Sequence, residues 1–405
     1  MKSEYDVVII GGGASGMTAA ITIKRECPEW DVAVFEKKEV FLKKVSQTGN
    51  GRCNISNASC SELDTVKDFF RSVGISLRED TEGRLYPYSE DANDVTRLLI
   101  RACEACGVEL YTEAEVTKLE AIPYDFNPRG GFHIFVGGDE DVVYAENVVL
   151  ATGGKSYAMF GTSGDGYIFA RRLGHKVNKL RPALTGVEVS DNIRSLKGIR
   201  TKARVHLLKD GEELFSESGE VQFREDAVSG ICIMNMSRYI VSLPGETPED
   251  SFKHYEIRLD LIPDFNSSEM QEIIAGRLKK KGYNEAYALK SIVKEGLANY
   301  VARKSGVFFS GRPGEEATPE EKAGFLADEL SDFRLKVRGL KGWSEAQVTA
   351  GGVDLSEVDD NTMESKVVPG LFITGEVLDY DGPCGGYNLH NAWLTGIKAG
   401  RGLAR

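Results

Sequence analysis

The chain has 405 residues, enough for two or three domains, and its 41 % hydrophobic and 28 % charged residues are typical of a globular protein. A net charge of −12 argues against a general binder of nucleic acid or of anionic membranes. No apolar run approaches the ~20 residues of a membrane span, and no signal peptide precedes the first glycine-rich turn. Seven cysteines without an export signal indicate reduced thiols. We therefore expect a cytoplasmic protein with neither nucleic-acid nor membrane partners.

The N-terminal stretch predicts a nucleotide-binding turn. An apolar run, Val7 to Ile10, enters a glycine-rich turn, and helix-forming residues follow from Ala14 to Ile23. Gly11, Gly13 and Gly16 stand at the three fingerprint positions that allow a tight turn, close approach to a pyrophosphate and close helix packing. A helix that begins here would direct free N–H groups and a partial positive charge at the phosphates.

The context of this turn supports a ligand. A second strand, Val32 to Phe35, ends at Glu36, which lies 20 residues beyond Gly16. At that spacing a carboxylate reaches a ribose hydroxyl pair. The alternative is a packing turn without a ligand, which the strand–turn–helix–strand context disfavours.

Residues 43–57 are dense in Gly, Asn, Ser and cations. Such a loop suits a pyrophosphate and the ring beyond it, but it is also the composition of a solvated surface loop. Farther along, Asp91 to Cys106 has helical periodicity, and its Cys-x-x-Cys pair lacks the further ligands of a zinc site. Val108 to Leu119 and Val143 to Leu150 are predicted strands. The small-residue turn Gly161 to Gly166 precedes a helix, yet no strand leads into it, so it is not a second nucleotide fingerprint.

The middle of the chain has a different pattern. Short alternating strands with an Asp210-Gly211 turn predict a small β-barrel at about 186–260 and 331–345. The residues between, about 261–330, are predicted to be helical, with Ser268 and Gln271 as a capping box and one helix from Ala286 to Ala302. From Gln347 the glycine-rich pattern returns. We therefore expect residues 346–405 to complete a first domain, 1–185, that the segment 186–345 interrupts.

The C-terminal region holds two further glycine signals. An apolar strand ends in Gly375-Glu376, and Gly385-Gly386-Tyr387-Asn388 opens a helix that continues through Ile397. A glycine pair at a helix start makes a site for an anion or a polar ring.

Three stretches together resemble one family. They are the turn from Gly11 to Gly16 with Glu36, the loop Gly49-Asn50-Gly51-Arg52-Cys53-Asn54, and the tail from Thr362 through Gly375-Glu376 to Asn388. On these motifs the whole chain is similar to the YhiN/BaiN-type flavoproteins, also labelled aminoacetone-oxidase-like FAD-binding enzymes. The resemblance implies a three-layer α/β, Rossmann-like FAD-binding domain of the glutathione-reductase type, split by an inserted β-barrel and helical subdomain.

The resemblance also implies non-covalent FAD and its contact residues. Gly11, Gly13, Ala14, Ser15 and Gly16 would hold the pyrophosphate, Glu36 the adenosine ribose, and Val116 the adenine. Lys37, Lys44, Asn50, Gly51, Arg52, Cys53 and Asn54 would line the pyrophosphate, ribityl chain and flavin, with Thr152 and Gly153 nearby. Gly375 and Glu376 would approach the ribityl phosphate, and Gly386, Tyr387 and Asn388 the pyrimidine side of the ring. At the next positions the family pattern has a glutamine and an aromatic, whereas this chain has His390 and Asn391.

Three side chains are candidates for catalysis, and each has a structural alternative. Cys384 could form a redox pair with Cys53, or both could be packing thiols. His390 could be an acid or base, or a hydrogen-bonded structural histidine. Tyr387 could supply a hydroxyl or pack against the ring. No metal site is expected.

We expect an FAD-dependent oxidoreductase that exchanges hydride between flavin N5 and a small-molecule substrate. One form is an NAD(P)H-dependent reductase of an unsaturated carbonyl compound, with the nucleotide bound transiently. The alternatives are an amine oxidase that uses oxygen and a non-catalytic flavin redox sensor. The acidic charge balance disfavours an RNA-modifying enzyme. The substrate, the electron partner and the oligomeric state stay open.

Overall fold

A computed structural model describes residues 1–123, 130–138, 141–305 and 317–405. The chain divides into two compact units. The first comprises Met1–Ala183 and Ala346–Arg405, and the second comprises Leu184–Glu345.

The strands and helices are numbered in chain order. The strands are β1 (Glu4–Ile10), β2 (Val32–Phe35), β3 (Ser56–Asn57), β4 (Leu77–Glu79), β5 (Arg84–Pro87), β6 (Glu109–Tyr111), β7 (Val116–Ala121), β8 (Phe132–Val136), β9 (Val142–Leu150), β10 (Arg181–Ala183), β11 (Val187–Val189), β12 (Arg200–Lys209), β13 (Glu212–Phe223), β14 (Ala227–Ser229), β15 (Tyr255–Asp260), β16 (Phe333–Leu340), β17 (Val348–Ala350) and β18 (Leu371–Ile373). The helices are α1 (Ala14–Glu26), α2 (Leu63–Ser72), α3 (Ala92–Ala105), α4 (Asp165–Arg172), α5 (Ile231–Ser237), α6 (Pro248–Phe252), α7 (Ser267–Leu278), α8 (Glu285–Ala288), α9 (Glu295–Lys304), α10 (Pro319–Ser331) and α11 (Tyr387–Leu403).

The first unit is built on a seven-stranded sheet in the order β6-β2-β1-β9-β8-β7. The neighbours β6, β2, β1 and β9 are parallel, and β18 pairs in parallel with the end of β9. Residues of β1 and β2 are fully buried almost throughout, as expected for parallel strands covered on both faces. The expected single strand from Val108 to Leu119 is wrong. It divides into β6 and β7, which lie at opposite ends of the strand order.

Helices α1 and α11 pack closely because glycines replace side chains at their crossing. A Cβ on Gly396 would lie 2.4 Å from the Ser15 carbonyl oxygen, and one on Gly400 would lie 2.6 Å from Thr22 Cβ. Both contacts advance in the same chain direction, so the two helices run parallel. Trp393 is fully buried on α11, where its indole N–H donates to the Ile55 carbonyl.

Two small sheets extend the first unit. β3, β5 and β4 form an antiparallel three-stranded sheet, and β10 pairs with β17. The β3 strand lies beside α11, because Ser56 bonds to His390 and Asn57 donates to the Gly385 carbonyl. This small sheet therefore supports the start of α11.

The second unit contains a closed barrel in the order β11-β14-β13-β12-β15-β16. Its six strands come from both ends of the unit, and helices α5 to α10 lie between them in sequence. The expected helix from Ala286 to Ala302 is wrong: α8 and α9 are separate, and Ser291 between them has a left-handed backbone, φ +68°. The expected capping box at Ser268 is also displaced, because Asn266 caps α7 with Glu269. Residues 306–316 of the predicted helical range lie outside the described residues.

In the part of the chain that the structure describes, no helix is long and apolar enough to cross a membrane.

Candidate FAD site

The turn between β1 and α1 has the shape of a phosphate cradle. A Cβ on Gly11 would lie 2.5 Å from the Ala151 carbonyl oxygen, and one on Gly16 would lie 2.0 Å from the Gly11 carbonyl oxygen. A Cβ on Gly13 would instead meet nothing within 4 Å, so the space beside it is open. The N–H groups of Ala14, Ser15 and Gly16 have no protein acceptor among the described residues. The first turn of α1 therefore has free donors beside an open space.

Glu36 is held at the end of β2 by backbone donors. Its Oε2 accepts from the Gly12 N–H at 2.9 Å, and its Oε1 accepts from the Lys38 N–H at 2.9 Å. The segment that leads to Val116 runs alongside, since the Ala114 N–H donates to the Glu36 carbonyl at 2.9 Å. Lys37, the next residue, has an acidic partner inside the first unit. Its ammonium group pairs with Asp165 at the start of α4.

Glu376 is the centre of a half-buried polar cluster. Its Oε2 pairs with Lys44 Nζ at 2.7 Å. Its Oε1 accepts from the Ser156 hydroxyl at 3.0 Å and from the Thr349 N–H at 2.8 Å. Lys44 also donates to the Ser156 hydroxyl at 2.8 Å. The sequence analysis named Lys44 and Glu376 as expected cofactor contacts. It did not identify Ser156 and Thr349, because no local motif marks them.

Thr152, Gly153 and Gly375 connect this cluster to the β1–α1 turn. A Cβ on Gly375 would lie 2.5 Å from Ser15 Oγ, and Thr152 Cα lies 3.0 Å from the position of a Cβ on Gly11. Gly153 and Gly375 both have left-handed backbones, with φ of +73° and +74°. The residues expected around the pyrophosphate are therefore brought together from three distant parts of the chain.

The loop at 49–54 has an unusual backbone. Gly49, Asn50, Gly51 and Cys53 all have positive φ, between +57° and +81°. Residues other than glycine rarely adopt a positive φ, and such strained conformations persist only where the surrounding structure fixes them. They cluster at ligand-binding sites. The Arg52 guanidinium lies 4.8 Å from the centre of the Tyr86 ring.

The expected contact between Cys53 and the cofactor is not supported. Cys53 is fully buried, and burial raises the pKa of its thiol to about 12. A thiol without accessible surface cannot line the flavin, and at neutral pH it stays protonated. Cys53 and Cys384 are both free thiols in the structure. Cys384 Sγ instead lies 3.9 Å from Gln347 Oε1.

A second glycine turn opens α11. Gly385 and Gly386 have φ of +118° and +103°, and a Cβ on Gly386 would lie 2.4 Å from the Ser56 carbonyl oxygen. The Asn54 amide accepts from the Gly386 N–H at 3.1 Å. Asn388 closes the preceding turn by accepting from the Gly382 N–H at 2.8 Å and donating to its carbonyl at 2.9 Å.

Tyr387 is the first residue of α11, and its hydroxyl shares a hydrogen bond of 2.6 Å with Ser59 Oγ. His390 lies one turn farther along and is buried. Its Nδ1 lies 2.8 Å from Ser56 Oγ, and its Nε2 lies 2.8 Å from the Ser61 carbonyl oxygen. Because both ring nitrogens are occupied, the geometry favours the structural alternative for His390.

These residues fit an extended dinucleotide. The N-termini of α1 and α11 point in the same direction. Helix α11 contacts Ser15 of α1 at Gly396, and its start at Tyr387 lies about 13 Å before that contact, at ~1.5 Å per residue. One end can therefore hold a pyrophosphate while the other reaches a more distant polar ring. The open space at Gly13, the free donors of α1 and the Lys44–Glu376 cluster supply the anion-binding side. We find the arrangement compatible with FAD.

A separate Ser–His–Glu chain lies in the first unit. His175 Nε2 lies 2.8 Å from Ser365 Oγ, and its Nδ1 lies 2.9 Å from Glu357 Oε2. Ser365 is buried, and its oxygen already accepts from the Val367 and Val368 N–H groups. Because the hydroxyl is buried and already hydrogen-bonded, these three residues join separate segments of the first unit and do not form a nucleophile site.

Comparison with known proteins identifies the family. Residues 61–402 match the family model described as "HI0933-like protein Rossmann domain", and residues 6–70 match an FAD binding domain. The 3-dehydro-bile acid delta(4,6)-reductase of Clostridium scindens is 33 % identical over 98 % of both chains. The ribosomal RNA dihydrouridine synthase of Haemophilus influenzae is 26 % identical over the full length of both.

Among solved structures, the 3-ketosteroid delta1-dehydrogenase of Sterolibacterium denitrificans matches over the whole of both chains with a TM-score of 0.50 and 12 % identity, a likeness of fold alone. The expected Rossmann-type fold with an inserted barrel and the expected FAD cofactor are confirmed. The chain belongs to the HI0933-like family of FAD-binding Rossmann proteins, and it is an FAD-dependent oxidoreductase.

Proposed function

We propose that this protein reduces a carbon–carbon double bond conjugated to a carbonyl group in a small molecule, with NADH or NADPH as the electron donor. The observation that carries the proposal is the relative named 3-dehydro-bile acid delta(4,6)-reductase, which matches 98 % of this chain at 33 % identity. A match over the full length includes both compact units, so it is not confined to the nucleotide turn.

The chemistry of the relatives' names supports the same reaction type. The first name describes the reduction of double bonds in a compound with an oxidised position 3, and the second describes the conversion of uridine to its dihydro form. Uracil also carries its reducible double bond next to a carbonyl. The two names therefore share a bond change although their substrates differ greatly in size.

Bound FAD would supply the hydride exchange for this reaction. The residues of this chain would hold and orient the reacting groups. The first turn of α11, from Tyr387, presents N–H donors and the positive end of a 17-residue helix, which favour negative charge at the pyrimidine side of the ring. We assign the Tyr387 hydroxyl, shared with Ser59, as the proton donor to the substrate.

The nicotinamide donor would bind transiently. The small-residue turn from Gly161 to Gly166 precedes α4, and it follows a short 3₁₀ segment rather than a strand. Its Asp165 is already paired with Lys37. This supports a single resident dinucleotide and a donor that leaves after reduction.

The test is anaerobic stopped-flow absorbance of the FAD-loaded protein with NADH or NADPH, followed by a panel of cyclic enones. We expect bleaching of the visible flavin absorbance by one nucleotide and recovery of the absorbance with an enone. Tyr387→Phe should keep the bleaching step and slow the recovery at least ~10-fold. Tyr88 lies on the surface of the first unit, so Tyr88→Phe is the control and should behave as the parent.

Absence of bleaching with both nucleotides, together with bleaching by small amines and rapid recovery in air, would instead identify an oxidase. Reduction of uridine in a ribosomal RNA fragment, with loss of binding as salt is raised, would place the protein with the RNA-modifying relatives.

A further inference from the structure

A row of hydrogen bonds joins the segment 54–61 to the start of α11. Asn54 accepts from the Gly386 N–H, Asn57 donates to the Gly385 carbonyl at 3.1 Å, and Ser59 shares a bond with Tyr387. We call this row the α11 seam. It holds the turn that we expect at the ring end of the FAD site.

His390 closes the far end of the seam with two bonds. A carbonyl oxygen only accepts, so the contact of 2.8 Å to the Ser61 carbonyl requires a proton on Nε2. The Ser56 hydroxyl can then donate to Nδ1, also at 2.8 Å. In this neutral tautomer, both polar atoms of the imidazole are satisfied inside the protein.

We propose that His390 is a positioning residue for the flavin. By tying Ser56 and Ser61 to α11, it holds the first turn of that helix where its N–H groups and dipole favour the reduced, more negative flavin. The inference rests on the FAD site and on the oxidoreductase activity, and it does not depend on which substrate is reduced.

The proposal needs a rigid link, and the geometry supplies one. The imidazole is 4 % exposed, and the adjacent Ser56 carbonyl lies where a Cβ on Gly386 would stand only 2.4 Å away. A shift of β3 therefore changes the space available to the Gly386 turn directly. Asn388 and Leu389, the two residues before His390, carry no bond to Ser56 or Ser61.

Protonation of His390 opposes this arrangement. Burial lowers the pKa of His390 below its usual range, although the Ser61 carbonyl and Glu62 act in the opposite direction. Glu62 is itself paired with Lys398 on α11 at 2.8 Å, which weakens its effect on the imidazole. The unfolded chain takes up a proton near pH 6.5, where the folded chain stays neutral. Stability is therefore lost as pH falls from about 6.5 towards the lower pKa of the folded protein.

Two substitutions separate positioning from packing. His390→Leu removes both hydrogen bonds and leaves Ser56 and Ser61 without their partner. His390→Gln offers an acceptor oxygen and an NH₂ donor group on its terminal amide, so it can replace both bonds without a titrating group. His254→Leu in the second unit is the control, because His254 is partly exposed and pairs with Asp210.

The experiment measures FAD affinity, the flavin midpoint potential and the pH dependence of unfolding for the FAD-loaded protein. We expect His390→Leu to weaken FAD binding at least ~10-fold and to reduce the preference for reduced over oxidised FAD about tenfold, a fall of ~30 mV for a two-electron couple. His390→Gln should restore the parent potential, and it should lose the decline in stability that the parent shows as pH falls below about 6.5. His254→Leu should change neither FAD affinity nor the potential.

The proposal is overturned if His390→Leu retains the parent potential and FAD affinity, or if His390→Gln has a potential as low as that of His390→Leu. If His390→Leu does not fold, the glutamine variant decides the matter alone. For His390→Gln, a flavin midpoint potential equal to that of the parent, with a weaker dependence of stability on pH, supports the proposal. A shifted midpoint potential, or a pH dependence of stability equal to that of the parent, contradicts it. Enone reduction plays no part in these readouts, so failure of the proposed function is recognised separately.

Discussion

Substitution of Gly386 by alanine tests the close approach between the α11 turn and β3. Both Gly385 and Gly386 have positive φ, so alanine at either position costs ~1–2 kcal/mol in backbone strain. At Gly386 the new Cβ would also lie 2.4 Å from the Ser56 carbonyl oxygen, where about 3.5 Å is comfortable. The backbone of β3 must retreat by about 1 Å, which breaks the bond between Ser56 and His390 and adds ~1–3 kcal/mol. The total loss for Gly386→Ala is therefore ~2–5 kcal/mol.

Gly385→Ala is the matched control, since the nearest neighbour of its Cβ is Asn57 Nδ2 at 3.6 Å. Urea unfolding followed by tryptophan fluorescence, to which the buried Trp393 on α11 contributes, should give a loss of only ~1–2 kcal/mol for this variant. FAD titration should show affinity at least ~10-fold weaker for Gly386→Ala than for Gly385→Ala, since each ~1.4 kcal/mol is a factor of ten. Equal stability and equal FAD affinity of the two variants would refute the reasoning.

Three other changes have defined outcomes. Lys44→Met leaves the half-buried Glu376 carboxylate without its cation, and thermal unfolding should show that the free energy of unfolding falls by ~1–3 kcal/mol. The control is Lys43→Met, whose ion pair with Glu39 is exposed and which should lose under ~0.5 kcal/mol. Similar losses for the two variants would contradict the role of the Glu376 cluster. Gly13→Ala should preserve stability because its Cβ meets open space, yet weaken FAD binding at least ~10-fold by filling the phosphate's approach, and unchanged affinity would rule out that placement. Cys53 should resist iodoacetamide at pH 8 in the folded protein and react only after unfolding, as peptide mass spectrometry would show; labelling of the native protein would disprove its burial.

Local patterns were enough to predict the nucleotide turn. All of its signals lie within about 35 residues of one another: the apolar run of β1, the glycine spacing and the position of Glu36. The Asp210-Gly211 turn between β12 and β13 was predicted for the same reason, since both residues have positive φ.

The partners of Glu376 could not be predicted in this way. Ser156 and Thr349 reach its carboxylate from segments far apart in the chain, and only the paired strands of the finished sheet bring them together. The prediction of a single strand from Val108 to Leu119 was wrong for a related reason. The alternation of these residues is typical of one strand, but Glu113 has a left-handed backbone that divides it into β6 and β7. Periodicity alone carries no information on such a turn.

The path of the chain through the first unit has a consequence for its synthesis. Strand β18 and helix α11, which cover the end of β9 and the small-residue face of α1, follow the whole second unit in sequence. At about 5–20 residues per second, a ribosome needs roughly ten to thirty seconds to make residues 184–345. Throughout that interval the nascent first unit has an open strand edge and an uncovered helix groove. A chaperone that binds apolar segments is expected to engage these two surfaces until α11 emerges.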